Sequence, residues 1–302
     1  DSRHEYLILL HPAAPPIPLE QPGRFTTATS RMLSGLLGQH VAFGVWARRH
    51  SVNVVFHPHQ HAMPFWSGVP SVGLVLDILP VLFPEQSSWA RVGYYNQVIR
   101  RSAARQNALL VISESAKRDL VERFGIPGSR VSVLPLAAVS AMRPLPEDEA
   151  RARLVKFHLK RPFVLYVGNA RPHKNLSGLL KAVKHADLQH RWDLVVVGRD
   201  NPREPERDYR PWKSEIEALG LTPAVRFTGE VTDAELAALY NLTSALALVS
   251  FYEGFGLPVL EAMACGAPIV AARAGALDEV AGDAAVYVDP ADVMSIAEGL
   301  HT

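Results

Sequence analysis

The chain has 302 residues, 48% of them hydrophobic and 20% charged, with 31 Lys and Arg against 30 Asp and Glu. That length exceeds one ordinary domain and the composition is globular, so two domains with separate cores are expected. Balanced charge excludes a nucleic-acid-binding field over the whole chain; a single cysteine, Cys265, excludes an internal disulfide and fits a reducing, cytoplasmic compartment.

Asp1 to Leu10 holds a short apolar run, Tyr6–Leu10, with no basic segment or cleavage site, so it reads as a strand and not as a signal peptide. A Pro-rich loop follows from Pro12 to Pro22, and Val52–Phe56 reads as the next strand. His57, His59 and His61 alternate beyond it, a spacing that could gather three imidazoles. Pro58 breaks the strand there and no carboxylate or cysteine sits nearby, so a loop is expected rather than a metal site. The apolar stretch Val69–Pro84 is interrupted by Pro70, Asp77 and Pro80 and is too short to span a bilayer. Within it Ser71–Leu76 reads as a strand ending at Asp77, which is either a ligand-facing residue or the cap of the next turn. Arg91–Arg105 reads as a helix rich in arginine; its irregular apolar spacing favours a solvated face over a peripheral contact with anionic lipid. Leu109–Ile112 and Ala116–Phe124 continue the alternation as strand and helix, and Ala141–Glu149, rich in Pro, Glu and Asp, reads as a linker. The expected domains are therefore 1–145 and 146–302.

From residue 160 the pattern is clearer. Strand-like runs at Phe163–Val167, Leu194–Val197, Val225–Thr228, Ala245–Val249, Pro268–Ala271 and Ala285–Val288 alternate with helix-like segments at Leu176–Ala186, Lys213–Leu219, Asp233–Tyr240 and Pro258–Ala264. Near-continuous apolar strands between helices read as a parallel sheet covered on both faces, a doubly wound α/β domain. Cys265, in the small-residue run Ala262–Gly266, reads as a packed core residue.

Ligands of such sheets bind outside the carboxyl ends of the strands, so chemistry is sought there. Phe251-Tyr252-Glu253-Gly254-Phe255-Gly256-Leu257-Pro258-Val259-Leu260-Glu261 follows one strand directly. Pro258 suits the first helical position, Gly254 and Gly256 let backbone approach a ligand, and the amide groups that open the helix form a phosphate site. Glu253 and Glu261, with seven residues between them, could each accept vicinal hydroxyls, holding two sugar rings on either side of a diphosphate. A second element, Gly168-Asn169-Ala170-Arg171-Pro172-His173-Lys174-Asn175-Leu176, follows Phe163–Val167. Its Arg171 and Lys174 could neutralise the diphosphate.

These elements resemble those of retaining glycosyltransferases of family 4, which have the GT-B architecture. The similarity extends to Val111–Ser115, Val133–Leu136, Val196–Gly198, Phe227–Val231 and Ala274–Glu279. The resemblance implies two doubly wound Rossmann-like domains facing across a cleft, and transfer of a hexose, mannose-type favoured, from a GDP- or UDP-linked donor. The acceptor would be a glycan, a lipid-linked sugar or a small molecule; transfer would proceed with retention and need no metal or other cofactor. It further implies that Lys174 binds the diphosphate with Arg171 as helper, and that Glu253 holds the transferred sugar. Glu261 would hold the ribose, the turn from Gly168 and the backbone of Gly254, Phe255, Gly256 and Leu257 would contact phosphate or sugar, and Val231 would lie near the base. Asp77 stands where many relatives carry His-Asp, but Leu76 replaces the histidine. Both ends look incomplete against the family, including its N-terminal Gly-rich loop, so the first domain is expected to be partial. The expectation is a cytoplasmic glycosyltransferase, with the inner face of the membrane as the place for any peripheral contact. The alternatives are a catalytically impaired nucleotide- or partner-binding module of the same fold, and an unrelated two-domain α/β binding protein.

Overall fold

The computed structural model describes residues 5–10, 24–29, 40, 42–169, 171–200 and 209–302; the stretch Pro12–Pro22 lies outside them. The chain divides into two compact units, Asp1–Val111 with Asp119–Ser132, and Ile112–Arg118 with Val133–Thr302. The second unit thus starts at Val133 rather than at residue 146, and takes in a short earlier piece of chain. The supposed linker belongs to it, because Met142 and Ala150 are buried in its core.

In the first unit β1 (Tyr6–Leu10) and β2 (Phe25–Thr29) form a parallel pair, and α1 (Phe43–Arg49) follows. A four-stranded sheet is laid down in sequence order from β3 (Val55–His57), β4 (Ser71–Val75), β5 (Ala108–Val111) and β6 (Val131–Val133). Between β4 and β5 run α2 (Leu79–Leu82), α3 (Trp89–Tyr94), a π-turn over Tyr95–Ile99 and α4 (Arg100–Arg105). The arginine-rich helix read from the sequence is this broken run. After β5 comes α5 (Glu114–Phe124), whose first turn is counted with the second unit.

The second unit opens with α6 (Glu147–Arg153) and continues β7 (Phe163–Val167), α7 (Leu176–His185), β8 (Asp193–Val197), α8 (Arg210–Ala218), β9 (Val225–Gly229) and α9 (Asp233–Leu242). It ends with β10 (Ala245–Leu248), α10 (Leu257–Cys265), β11 (Ile269–Ala272), α11 (Leu277–Ala281), β12 (Val286–Val288) and α12 (Val293–His301). Its strands are parallel in the order β12-β11-β10-β7-β8-β9. Every residue of β8 and β11 is buried. Side chains alternate between two cores: Val164, Tyr166, Leu194 and Val196 pack on one face with residues of α7 and α12, while Phe163, Leu165, Val195 and Val197 pack on the other with residues of α6, α9 and α10. Each such Val or Leu, taken fully out of water, contributes about 1.5–3 kcal/mol.

The strand order places the site. The chain winds from β7 outward through β8 to β9, then returns to β10 on the other side of β7 and winds away through β11. The direction reverses between β7 and β10, and the connections leaving those two strands part there, which opens a crevice at their carboxyl ends.

Candidate functional site

Both sequence elements flank that crevice. The loop after β7 carries Arg171, His173 and Lys174 into α7, and Asn175 takes the left-handed conformation, φ 56°, to cap it. The Asn175 side chain accepts from Gly178 N at 3.2 Å, and its amide donates to Val249 O at 3.0 Å and Pro290 O at 2.7 Å. One buried residue thereby ties the loop to the end of β10 and to the chain beyond β12. Phe251 N donates to His173 O at 2.7 Å, a second tie between the two loops. His173 is buried, and its pKa falls to about 4 because burial disfavours the charged ring and because Lys174 and Arg171 lie near. Gly168 donates its N–H to Val197 O and accepts from the buried Tyr209 hydroxyl. A side chain on Gly198 would meet Gly168 O at 2.3 Å, so the loops after β7 and β8 touch through two glycines.

In the turn after β10, Lys174 Nζ donates to both carboxylate oxygens of Glu253, each at 2.7 Å. Ser250 Oγ donates to Glu253 Oε1, also at 2.7 Å. Ser250 is fully buried and Glu253 only 7% exposed, so this acid is held on a rigid base. Its backbone is clasped as well: Ala276 N donates to Glu253 O at 2.9 Å, and a side chain on Gly275, φ 63°, would sit 2.3 Å from that oxygen. Ser113, in the early segment of this unit, donates its hydroxyl to Gly254 O at 2.7 Å.

Helix α10 starts one residue earlier than expected, at Leu257, with Gly256 as its cap at φ 96° and Pro258 at the second position. The space a side chain would need at Gly256 is filled by Leu277 Cδ2, 2.6 Å from the ideal Cβ, so protein rather than ligand lies on that side. No side chain caps the helix; Pro258 carries no N–H, and Val259 N and Leu260 N donate to Gly256 O, which leaves the Leu257 N–H of the first turn for an anion. Phe255 is buried and Leu257 exposed. Inside the helix Glu261 is half-buried and accepts from the Tyr240 hydroxyl of α9 at 2.9 Å. Its pKa is raised, chiefly by burial; the Tyr240 bond lowers it and Asp233 raises it. Val231 is half-buried between β9 and the cap residue Thr232, packed against the core. The structure thus brings Lys174, Glu253 and the start of α10 together, while sequence reasoning missed Ser250, Tyr240, Ser113 and Asn175 as their supports.

Asp77 lies in the first unit at the end of β4. Its Oδ1 accepts from Leu79 N at 3.1 Å, which is the turn-capping arrangement. Gln60, buried, accepts from Leu76 N and donates to Asp77 O, both at 3.2 Å. The three histidines do not converge. His57 is buried beside Ser67 with its pKa lowered by burial to about 4. His59 Nδ1 accepts from His61 N, and His61 shares a hydrogen bond with the Tyr95 hydroxyl. Among the described residues no group of three His, Cys, Asp or Glu is placed to hold a metal ion. A cavity of about 430 Å³ lies at the opposite end of the second sheet, where β7 begins, lined by Leu154, His158, Lys160, Phe163 and Leu242 among others; none of the predicted residues lines it.

The family described as Glycosyl transferases group 1 matches residues 148–302, and the Glycosyl transferase 4-like domain matches residues 33–137. The O-antigen chain mannosyltransferase B of Escherichia coli is 30% identical over 83% of this chain and 65% of its own length. The serotype-specific mannosyltransferase WbdA of Escherichia coli is 34% identical over 73% of this chain but 27% of its own length. Sucrose-phosphate synthase from Thermosynechococcus elongatus superposes at TM-score 0.76, with 20% identity, over 98% of this chain and 78% of that one. Anabaena HepE in complex with UDP and glucose superposes at TM-score 0.73, with 22% identity, over 91% and 74%. The fold is therefore that of the GT-B glycosyltransferases.

Proposed function

The chain belongs to the glycosyl transferases group 1, and from that premise we propose that it moves a hexose from a nucleotide diphosphate sugar to a glycan, lipid-linked or small-molecule acceptor. The observation that carries the proposal is the pairing of Lys174, after β7, with Glu253, after β10, across the point where the sheet reverses direction. An ammonium group has three donors and Glu253 takes two of them, so one is left for a phosphate oxygen. Glu253 Oε2 accepts from Lys174, while Ser250 donates to Oε1, an arrangement that suits Oε2 to a sugar hydroxyl as well. The start of α10, with its Leu257 N–H and the positive end of the helix dipole, adds a second source of positive potential, and Glu261 supplies an acceptor for ribose hydroxyls.

The proposed chemistry breaks the bond between the sugar's anomeric carbon and the diphosphate, which departs with the electron pair. The acceptor oxygen forms the new bond on the same face, and its proton passes to the departing diphosphate oxygen. Retention follows without a carboxylate nucleophile, and Lys174 with the start of α10 does in advance what a metal ion would do for the leaving charge. Arg171 assists Lys174, the Gly168 turn and the backbone from Gly254 to Leu257 border phosphate and sugar, and Val231 borders the base. A mannose-type donor is favoured because the two Escherichia coli relatives above are mannosyltransferases.

The test is a calorimetric screen of UDP, GDP and their hexose conjugates on the 302-residue chain, repeated with Glu261→Ala. Nucleotide affinity left unchanged by that substitution overturns the ribose assignment. No helix among the described residues is long and apolar enough to cross a membrane. Contact with anionic lipid through residues 91–105 is the lesser reading of that run, whose apolar spacing favours a solvated face; liposome binding indifferent to lipid charge ends it. An impaired binding module is the second reading, because Leu76 replaces the expected histidine and Asp77 is engaged as a cap. Donor binding without turnover on any acceptor would favour it.

A further inference from the structure

We infer that Tyr240 and Ser250 are positioning residues, each holding one acid of the Glu253/Glu261 pair from behind through a buried hydroxyl. The inference rests on the donor-site reading above and adds the two groups that orient it.

The two acids are built alike. Ser250 Oγ takes one oxygen of Glu253 at 2.7 Å, and the Tyr240 hydroxyl takes one oxygen of Glu261 at 2.9 Å. Ser250 and Tyr240 are both fully buried, one leading out of β10 and the other within α9, so neither donor can follow its acid if the acid swings away. A glutamate free to rotate loses side-chain entropy when it binds a hydroxyl; one already held loses little. A hydroxyl donor also uses one oxygen and leaves the other open, and for Glu261 no second side-chain donor reaches that other oxygen among the described residues. The groups that face Glu261 are Tyr240 and Asp233 from α9 and Cys265 from its own helix.

These contacts divide the donor between them. Ser250 acts on the acid that meets the sugar, and Tyr240 on the acid that meets the nucleotide. The bond from Tyr240 favours the ionised form of Glu261, so its loss raises the carboxyl pKa further. Nucleotide affinity then begins to fall at a higher pH than in the unaltered protein, a change that a merely structural role would not produce.

The experiment is titration calorimetry of UDP, GDP, UDP-glucose and GDP-mannose over pH 5–8, with urea unfolding to confirm the fold. Tyr240→Phe is expected to weaken bare nucleotide about 3- to 10-fold, the worth of one hydrogen bond, and to move the acid limb of binding upward. In a Glu261→Ala background it should add nothing, because it acts only through that acid. Ser250→Ala should leave bare nucleotide within about twofold and weaken the hexose conjugate by a similar 3- to 10-fold; it tests the same idea should Tyr240→Phe not fold. If Glu261→Ala loses nucleotide while Tyr240→Phe binds it normally at every pH, the positioning role is wrong and the donor reading stands. If Glu261→Ala changes nothing, the ribose assignment is wrong and the Tyr240 arm of the inference falls with it; no binding of any nucleotide or conjugate by the unaltered protein overturns the donor reading itself. Equal loss from Tyr240→Phe in both backgrounds, or equal loss of nucleotide and conjugate in Ser250→Ala, also overturns the inference.

Discussion

Two strand ends in this protein carry polar residues of the kind that attract attention in a sequence, and they spend them differently. After β4, Asp77 folds its carboxylate onto Leu79 N, Gln60 fastens Leu76 and Asp77, and His61 meets the Tyr95 hydroxyl from the π-turn. The polar groups there satisfy the turn they sit in. After β7 and β10, Lys174 and Glu253 join two separate loops, and the supporting bonds leave one ammonium N–H and one carboxylate oxygen with capacity to spare. A charged residue at a strand end is a candidate for chemistry when its fixing contacts come from behind and do not exhaust it. By that measure Lys174 and Glu253 are the stronger candidates, while Asp77 spends one of its oxygens on its own turn.

The largest effect should come from dividing the pair. Lys174→Ala leaves Glu253 charged among buried neighbours, and removing one partner of a buried ion pair costs about 3–5 kcal/mol. The Lys174 side chain is 17% exposed, so the lower end of that range is expected. Urea unfolding measures it, with Lys174→Ala/Glu253→Gln as the companion that should recover part of the loss. Destabilisation under about 1 kcal/mol would show that the pair is not held tightly, and the contrast with β4 would weaken.

The next effect applies to both regions and separates shared burial from site chemistry. His57 in the first unit and His173 in the second both have pKa values lowered to about 4 by burial. Their folded pKa lies below the unfolded value of about 6.5, so the unfolded chain takes up protons that the folded protein refuses. Stability is fully present above pH 6.5 and is lost as pH falls toward 4, by about 3 kcal/mol at most for each ring. Urea midpoints measured across that window should fall, and His173→Gln should flatten the fall for the second unit. An unchanged slope in that variant would place the proton uptake elsewhere.

Much of the second unit could be read before its structure was known, because each strand announces itself by an unbroken apolar run and each helix start by a local signal. Phe163–Val167 matches β7 residue for residue. The sequence misleads where a helix signal lies inside a stretch whose composition suits a linker. Ala141–Glu149 reads as a linker for its Pro, Glu and Asp, yet Pro146 followed by Glu147, Asp148 and Glu149 is how a helix begins, and α6 begins there. The supports of the site had no sequence signal of that kind. Tyr240 reaches Glu261 only because α9 and α10 pack side by side, and Asn175 reaches Pro290 over 115 residues. Spacing along a chain reports which residues share an element; it does not report which elements meet.

A smaller effect tests whether the clasp on the Glu253 backbone matters. Gly275→Ala puts a Cβ 2.3 Å from Glu253 O at a φ of 63°. The left-handed conformation alone costs a non-glycine residue roughly 1–2 kcal/mol, and the turn must also move away from Glu253. We expect a stability loss of about 2 kcal/mol, with hexose-conjugate binding falling further than bare-nucleotide binding because Glu253 is displaced. Equal loss for both ligands would mean that the turn supports α11 and not the acid.

The smallest effect is expected at Asp77, and it bears most directly on the contrast between the two strand ends. An asparagine keeps an oxygen that can accept from Leu79 N, so Asp77→Asn should change stability by less than about 0.5 kcal/mol. If Asp77 only caps its turn, turnover with donor and acceptor should follow stability and stay within about twofold of the unaltered protein. If the carboxylate takes part in the reaction, Asp77→Asn would remove turnover while leaving the fold and nucleotide binding intact, since the charge is lost and the cap is not. That single outcome would place the β4 turn in the active machinery despite the bond that Asp77 Oδ1 accepts from Leu79 N. A group can complete a turn with one oxygen and still do chemistry with the other, and only the isosteric neutral variant tells the two apart.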